Sequence, residues 1–556
     1  MDTSTAIGKI TATEKQPCTN DEFVFWTNTN IMLQAFDVVR VDNQKDSITY
    51  GIVEDVFHIT DTPNYLGAFV SNDFGNTDAK LLTKRLSMNY VKCKVLRNTK
   101  GIYLPVLDGS KVFLASEDDI IFALGLNDIK YPISCGYIEM YEKMDKEKKF
   151  IPVKLDRRFL IGPEGAHLNI SGISGLAAKT SYCMFLLKSL QDQYISGTNT
   201  DNESIAFIVF NVKGKDLLCI DRENKTLDIF DKNLYSDLSI NATPFSNVQY
   251  FYPHSNAIIR NTYATDELIN DQKNEGIYNS FKYTVQDDKE SLELLFANFD
   301  DQTRTMESIN ELILDDNGPF SNISTWDNFR DRISDFCVSS QQNRSNKEIA
   351  VSSWKKYKRL ISKPLKNPLF SDRAIKEKNE VHLCDSLREL KKNNVYVIDI
   401  AKLDETLQSF VFGDVLKNIY EAKLEGVDLK EDFPDRIIIF VDELNKHAGS
   451  NVPKNSPLLR YILDITERGR SLGLVLFGAE QFRSSINAGV KGNCSTNCYG
   501  RTNSIEISNK DYSFINSTYK NIMTRLVQGE YIITNPIFPS PLMIKFPKPL
   551  FYQFDK

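Results

Sequence analysis

The stretch 172–181 carries Gly172, Ser174, Gly175, Ala178, Lys179, Thr180 and Ser181 in close succession. Small residues let successive backbone N–H groups wrap a polyphosphate, a lysine reaches its terminal phosphates, and a hydroxyl can join the shell of Mg²⁺. The strict spacing G-x-x-x-x-G-K-[ST] is not kept, because Gly172 stands seven residues before Lys179 and Ala178 replaces the last glycine. Read alone, the stretch also suits a plain turn between a strand and a helix.

A second stretch, RIIIFVDEL (436–444), is an apolar run ending in two adjacent carboxylates, Asp442 and Glu443. At the end of a strand, the first can hold a metal shell and the second can orient or deprotonate an attacking water. An isolated acidic pair after a strand is more often a helix N-cap. Together the two stretches point to nucleotide binding.

A third constellation is TERGRSLGLVLFGAEQF (466–482). Gln481, at the edge of its apolar run, is a candidate γ-phosphate sensor, since open α/β sheets gather ligands at strand carboxyl ends. Arg468 and Arg470 could reach a neighbouring subunit's nucleotide, or could simply complement the end of their own helix. Arg501 is a further finger candidate.

These side chains need strands and helices to hold them. HLNIS (167–171) followed by TSYCMFLLKSL (180–190) reads as strand, loop and buried helix. The runs at 205–212, 248–252, 395–400, 436–442 and 472–478 are apolar nearly throughout, as in strands covered on both faces within a largely parallel sheet. The fold class is therefore α/β. Upstream, runs at 37–41, 48–59, 90–96 and 112–116 predict a small β-barrel or sandwich within residues 1–150. The charged stretch 141–150 reads as an exposed linker. Residues 151–264 form the first part of the α/β core, 265–390 a helical insert, and 391–556 the second part of the core.

The length of 556 residues requires more than one core. A composition of 41% hydrophobic and 25% charged residues excludes a disordered or fibrous chain. No apolar run is long enough to span a bilayer, and the N-terminal stretch lacks a signal-peptide core, so no membrane partner and a cytoplasmic location are expected. The nine cysteines are scattered and read as reduced thiols; Cys494 and Cys498 are close together but lack further zinc ligands. A net charge of −7 is not that of a protein that coats nucleic acid, although a ring can concentrate basic groups in its channel.

In order and spacing these elements resemble the HerA branch of the HerA/FtsK ATPases. The resemblance is carried by LIGPEGAHLNISGISG leading into Lys179 and Thr180, by IVFNVKGKDLL (208–218), and by VYVIDIAKL with Gln408 downstream. It continues through IIIFVDEL, ERGRSLGLVLFGAEQF and LVQGEYIITNPIFPSPLMIKFPKP (526–549). It implies a RecA-like P-loop ATPase core behind a HAS-barrel-like N-terminal domain, a homo-hexameric ring with ATP between subunits, and double-stranded DNA moved through the channel. It further implies phosphate and Mg²⁺ binding by Lys179 and Thr180, completion of the metal shell by Asp442, water activation by Glu443 and γ-phosphate sensing by Gln481. Members of this branch often work with a nuclease or an NAD-cleaving effector in antiphage systems, and no effector chemistry is visible here.

Channel candidates are Lys213, Lys215 and Lys446, each of which also suits a solvated surface position. Two other readings stand beside the motor. One is a nucleotide-bound scaffold ring that arranges an effector with little translocation, favoured by the acidic charge and the irregular loop. The other is a kinase-like or GTPase protein, disfavoured by the distance between the two main motifs and the lack of a guanine-reading N-K-x-D run.

Overall fold

The computed structural model describes residues 5–78, 86–144, 147–197, 203–301, 303–338, 349–426, 430 and 432–554. Six antiparallel strands close into a barrel: β1 (Gly8–Ile10), β2 (Glu22–Thr27), β3 (Val38–Asn43), β4 (Ser47–Thr60), β5 (Ser87–Asn98) and β6 (Lys111–Leu114). Their order is β1-β2-β5-β4-β3-β6. Alternation drives the closure: in β2, Phe23, Phe25 and Thr27 are buried while Trp26 faces out.

The remaining strands form one sheet of thirteen. They are β7 (Pro132–Met140), β8 (Lys149–Asp156), β9 (Leu168–Ser171), β10 (Ile205–Asn211), β11 (Val248–Pro253), β12 (Tyr278–Lys282) and β13 (Glu380–His382), then β14 (Val395–Asp399), β15 (Arg436–Asp442), β16 (Leu474–Glu480), β17 (Thr496–Tyr499), β18 (Glu530–Thr534) and β19 (Leu542–Lys545). The order is β13-β12-β11-β14-β10-β15-β16-β9-β17-β18-β19-β7-β8. From β13 to β17 every pairing is parallel, and from β17 to β8 every pairing is antiparallel.

The parallel half has helices on both faces, as its apolar strands require. In β10, Ile205, Phe207 and Val209 enter one core, while Ala206, Ile208 and Phe210 enter the other. The helix Lys179–Ile195 packs in the first core, and the helices Glu405–Glu425 and Pro457–Leu472 pack in the second.

Two expectations change. The stretch 141–150 holds the β7–β8 connection and the first two residues of β8, and Tyr141 within it is fully buried. Its hydroxyl donates to Val38 O at 2.5 Å and accepts from Ala115 N at 2.8 Å, and its N–H donates to Asp37 Oδ1 at 2.8 Å. These bonds fasten the barrel to the sheet, which a solvated linker could not do. The polar segment 265–390 holds helices but also supplies β12 and β13, the outermost parallel strands. Short edge strands with mixed polarity leave little alternation to read.

No helix among the described residues is long and apolar enough to cross a membrane.

Candidate functional site

β9 and β15 are separated in the sheet by β16 alone. The parallel register brings their carboxyl ends level: Glu480 pairs with Ser171, and Asp442 pairs with Ala479. The loop after β9 and the acidic pair after β15, far apart in sequence, therefore open onto one crevice at the strand carboxyl ends, where such sheets bind ligands.

The loop is shaped by backbone constraints. Gly172 has φ 152°, and a Cβ there would lie 2.7 Å from the Ala177 Cβ and 3.2 Å from Arg501 O. A side chain is thus excluded by both conformation and space. Ala178 adopts φ 48° in the left-handed region immediately before the helix Lys179–Ile195, whose N-terminus no side chain caps. First-turn N–H groups are left open for an anion.

Lys179 is buried, and its ammonium donates to Gly172 O at 2.9 Å and to Ser174 Oγ at 3.4 Å. Burial lowers its pKa, a pull that nearby Asp442 opposes. Thr180 Oγ1 donates to Asp442 Oδ2 at 3.2 Å. Glu443 turns sharply off the strand at φ 58°, with its N–H donating to Asp442 Oδ1 at 2.8 Å. Ser174, Gly175, Ala178, Lys179, Thr180, Ser181 and Asp442 all line the same cleft.

Lys213 follows β10 and projects onto the carboxylate pair, with its Nζ 2.8 Å from Glu443 Oε1 and 3.4 Å from Asp442 Oδ2. Burial alone would depress this ammonium, but Asp442 and Glu443 outweigh it and its pKa is raised. Lys446 pairs with the other Glu443 oxygen. Burial would raise Glu443, yet the two lysines hold its pKa below the usual carboxylate value. Lys213 and Lys446, read from sequence as channel candidates, are thus engaged at the acidic pair. Lys215 makes its contact elsewhere, its Nζ 5.5 Å from the centre of the Phe554 ring.

The candidate sensor and finger residues are not gathered at this crevice in the same way. The Gln481 side chain is half-buried and makes no hydrogen bond to the described residues. Arg468 and Arg470 are exposed near the end of the helix that precedes β16, at the amino edge of the sheet and thus opposite the crevice. Arg470 Nη1 donates to Glu164 O at 3.1 Å. Arg501 follows β17 beside the loop, its carbonyl accepting from Ile173 N at 2.8 Å. Gln408 is structural, its amide donating to Ile400 O at 3.1 Å.

Two features escaped the sequence reading. Glu480, at the end of β16, is fully buried with both carboxylate oxygens lacking a hydrogen bond, and burial raises its pKa to about 8. Beside it, Arg483 Nη1 donates to Asn169 Oδ1 at 2.7 Å and to Asn497 Oδ1 at 2.6 Å, tying β9 to β17 beneath the loop. The second feature is the chain's last described segment, which returns to the crevice with Gln528 to complete its wall. An acidic residue inside an apolar strand was the available signal for the first; the second has no local signal.

The donor set fits a hard divalent cation bound together with a polyphosphate: a hydroxyl and a carboxylate oxygen lie side by side, and Lys213 already places a positive charge on the same carboxylates.

No family model matches the chain, and no curated protein matches it. Among solved structures, the plasmid coupling protein TrwB in complex with the non-hydrolysable GTP analogue GDPNP is 12% identical, over 70% of this chain and 87% of that one, with a TM-score of 0.39. TrwB in complex with ADP and Mg²⁺ gives 12% identity, 70% and 86% coverage and a TM-score of 0.39. The genome packaging NTPase B204 from Sulfolobus turreted icosahedral virus 2, in complex with ATP-gammaS, is 16% identical over 30% of this chain and 72% of that one, with a TM-score of 0.22. These likenesses are slight. Strand order and the strand–loop–helix at β9 make the core a RecA-like P-loop fold behind a closed N-terminal barrel.

Proposed function

We propose that this protein is a Mg²⁺-dependent ATPase that works as a ring, of the HerA type, moving or gripping double-stranded DNA. The observation that carries the reading is the convergence of Lys179, Thr180, Asp442 and Glu443 at the carboxyl ends of β9 and β15.

Lys179 and the open N–H groups of its helix bind the β- and γ-phosphates; taking the lysine's ammonium from Gly172 O to a phosphate relieves its burial without a partner charge. When bound, Mg²⁺ neutralises phosphate charge. Thr180 and Asp442 are the residues that would hold it. Glu443, kept ionised, orients the attacking water and accepts its proton once Lys213 leaves it. Lys213, freed from the carboxylates, is then within the crevice to meet developing phosphate charge.

Arg468 and Arg470 lie at the sheet edge opposite their own crevice, so any action on phosphate would be on a neighbour's nucleotide. In this reading the protein is a homo-oligomer, a hexamer. An effector such as a nuclease or an NADase, acting in antiphage defence, would be a separate chain.

A second reading, a nucleotide-bound scaffold ring that activates an effector with little translocation, is favoured by one observation: two lysines pair with Glu443 and must release it before it can take a proton from water. Hydrolysis measured with and without duplex DNA separates the two. Stimulation by DNA supports the motor; a rate indifferent to DNA favours the scaffold. A monomer at all protein and ATP concentrations counts against both.

A further inference from the structure

The lining of the crevice joins residues of two different characters from two parts of the chain. Lys179, Thr180 and Asp442 supply the charged and hydroxyl groups of this lining, whereas Gln528, Phe551, Gln553 and Phe554 add amides and aromatic rings. These four residues come from the C-terminal part of the chain, which is held in place from below. Asn224 N donates to Leu550 O at 3.0 Å, Tyr552 N donates to Arg222 O at 2.8 Å, and Phe551 is buried at 3% exposure. The Phe554 ring stands edge to face with Tyr552 at 5.1 Å between centres, and the Lys215 ammonium lies 5.5 Å from its centre. An aromatic ring fixed by its neighbours and two primary amides thus line the same cleft as the residues proposed to bind phosphate.

We propose that the segment Phe551–Phe554 with Gln528 is the base subsite of the nucleotide cleft, taking a purine ring against Phe554 and its polar edge against the amides of Gln553 and Gln528. The proposal rests on the nucleotide reading of the loop. Stacking on an aromatic face is available to any base, while a carboxamide offers a donor and an acceptor side by side. That pair matches the amino group and ring nitrogen of adenine, and a rotated amide matches the oxygen and N–H of guanine. The subsite therefore adds affinity for the base and discriminates weakly between the two purines. It also links the first part of the core to this C-terminal segment, through the backbone bonds of Arg222 and Asn224.

Binding of ATP, GTP and inorganic tripolyphosphate to the full chain, measured by calorimetry with Mg²⁺ present, tests this. Phe554→Ala, and separately a chain stopped after Tyr552, should weaken ATP and GTP about tenfold, the worth of one stacked base, and leave tripolyphosphate unchanged. Unchanged ATP affinity, an equal loss for tripolyphosphate, or tighter ATP binding to the shortened chain would each overturn the proposal. Lys179→Ala in the same assay should abolish binding of all three. If it does not, the phosphate-loop reading fails, independently of the base subsite.

Discussion

Lys213 Nζ sits 2.8 Å from Glu443 Oε1, so the carboxylate proposed to activate water is paired with a cation. Lys446 closes on the other oxygen. Removing one lysine should raise the pKa of Glu443, because both lower it. Protonation silences a general base, so the acid limb of the hydrolysis profile should move to higher pH in Lys446→Met. A pH–rate profile of the two proteins checks this, and coincident acid limbs would separate Glu443 from the base role.

Lys179 is a buried cation whose partners are one carbonyl and one hydroxyl. Replacing it with methionine removes a desolvated charge while keeping much of the volume. The melting temperature of the nucleotide-free Lys179→Met protein should therefore stay level or rise, while the increase that ATP gives the native protein disappears. Thermal melts with and without ATP report both effects.

Ala178 occupies the left-handed region at φ 48°. Glycine there relieves a steric cost of roughly 1 kcal/mol but adds disorder to the unfolded chain, so Ala178→Gly should be within about 1 kcal/mol of native and still bind ATP. A β-branched residue cannot take the conformation cheaply, and Ala178→Val should cost about 2 kcal/mol and weaken nucleotide binding. Denaturant unfolding distinguishes the two substitutions.

Glu480 is buried without a hydrogen bond to either oxygen, and its pKa is raised to about 8. Between its ordinary value and about 8 the folded chain holds a proton that the unfolded chain has released, so stability falls as pH rises through that window and levels off above it. Glu480→Gln should remove this slope and be the more stable protein near pH 8. Unfolding free energies at a series of pH values decide it.

The central strands were legible because β10, β15 and β16 are apolar along their whole length, as burial on both faces demands. Asp442 and Glu443 stood out against that background. The edge strands were not legible: β13 is three residues, Glu-Val-His, inside a polar helical segment, and only its pairing with β12 defines it. The role of Lys213 was hidden too. In sequence it is one of several lysines; the parallel register of β10 and β15 places it over the acidic pair. Phe554 reaches the loop across the fold from the far end of the chain, which no local pattern encodes.

The most direct test of the account is single-turnover hydrolysis by Glu443→Gln alongside its ATP affinity. The amide keeps the shape of the site and removes the base, so ATP should bind with near-native affinity while hydrolysis falls by about a hundredfold or more. Hydrolysis at the native rate in that variant would contradict the assignment of this crevice as the catalytic site.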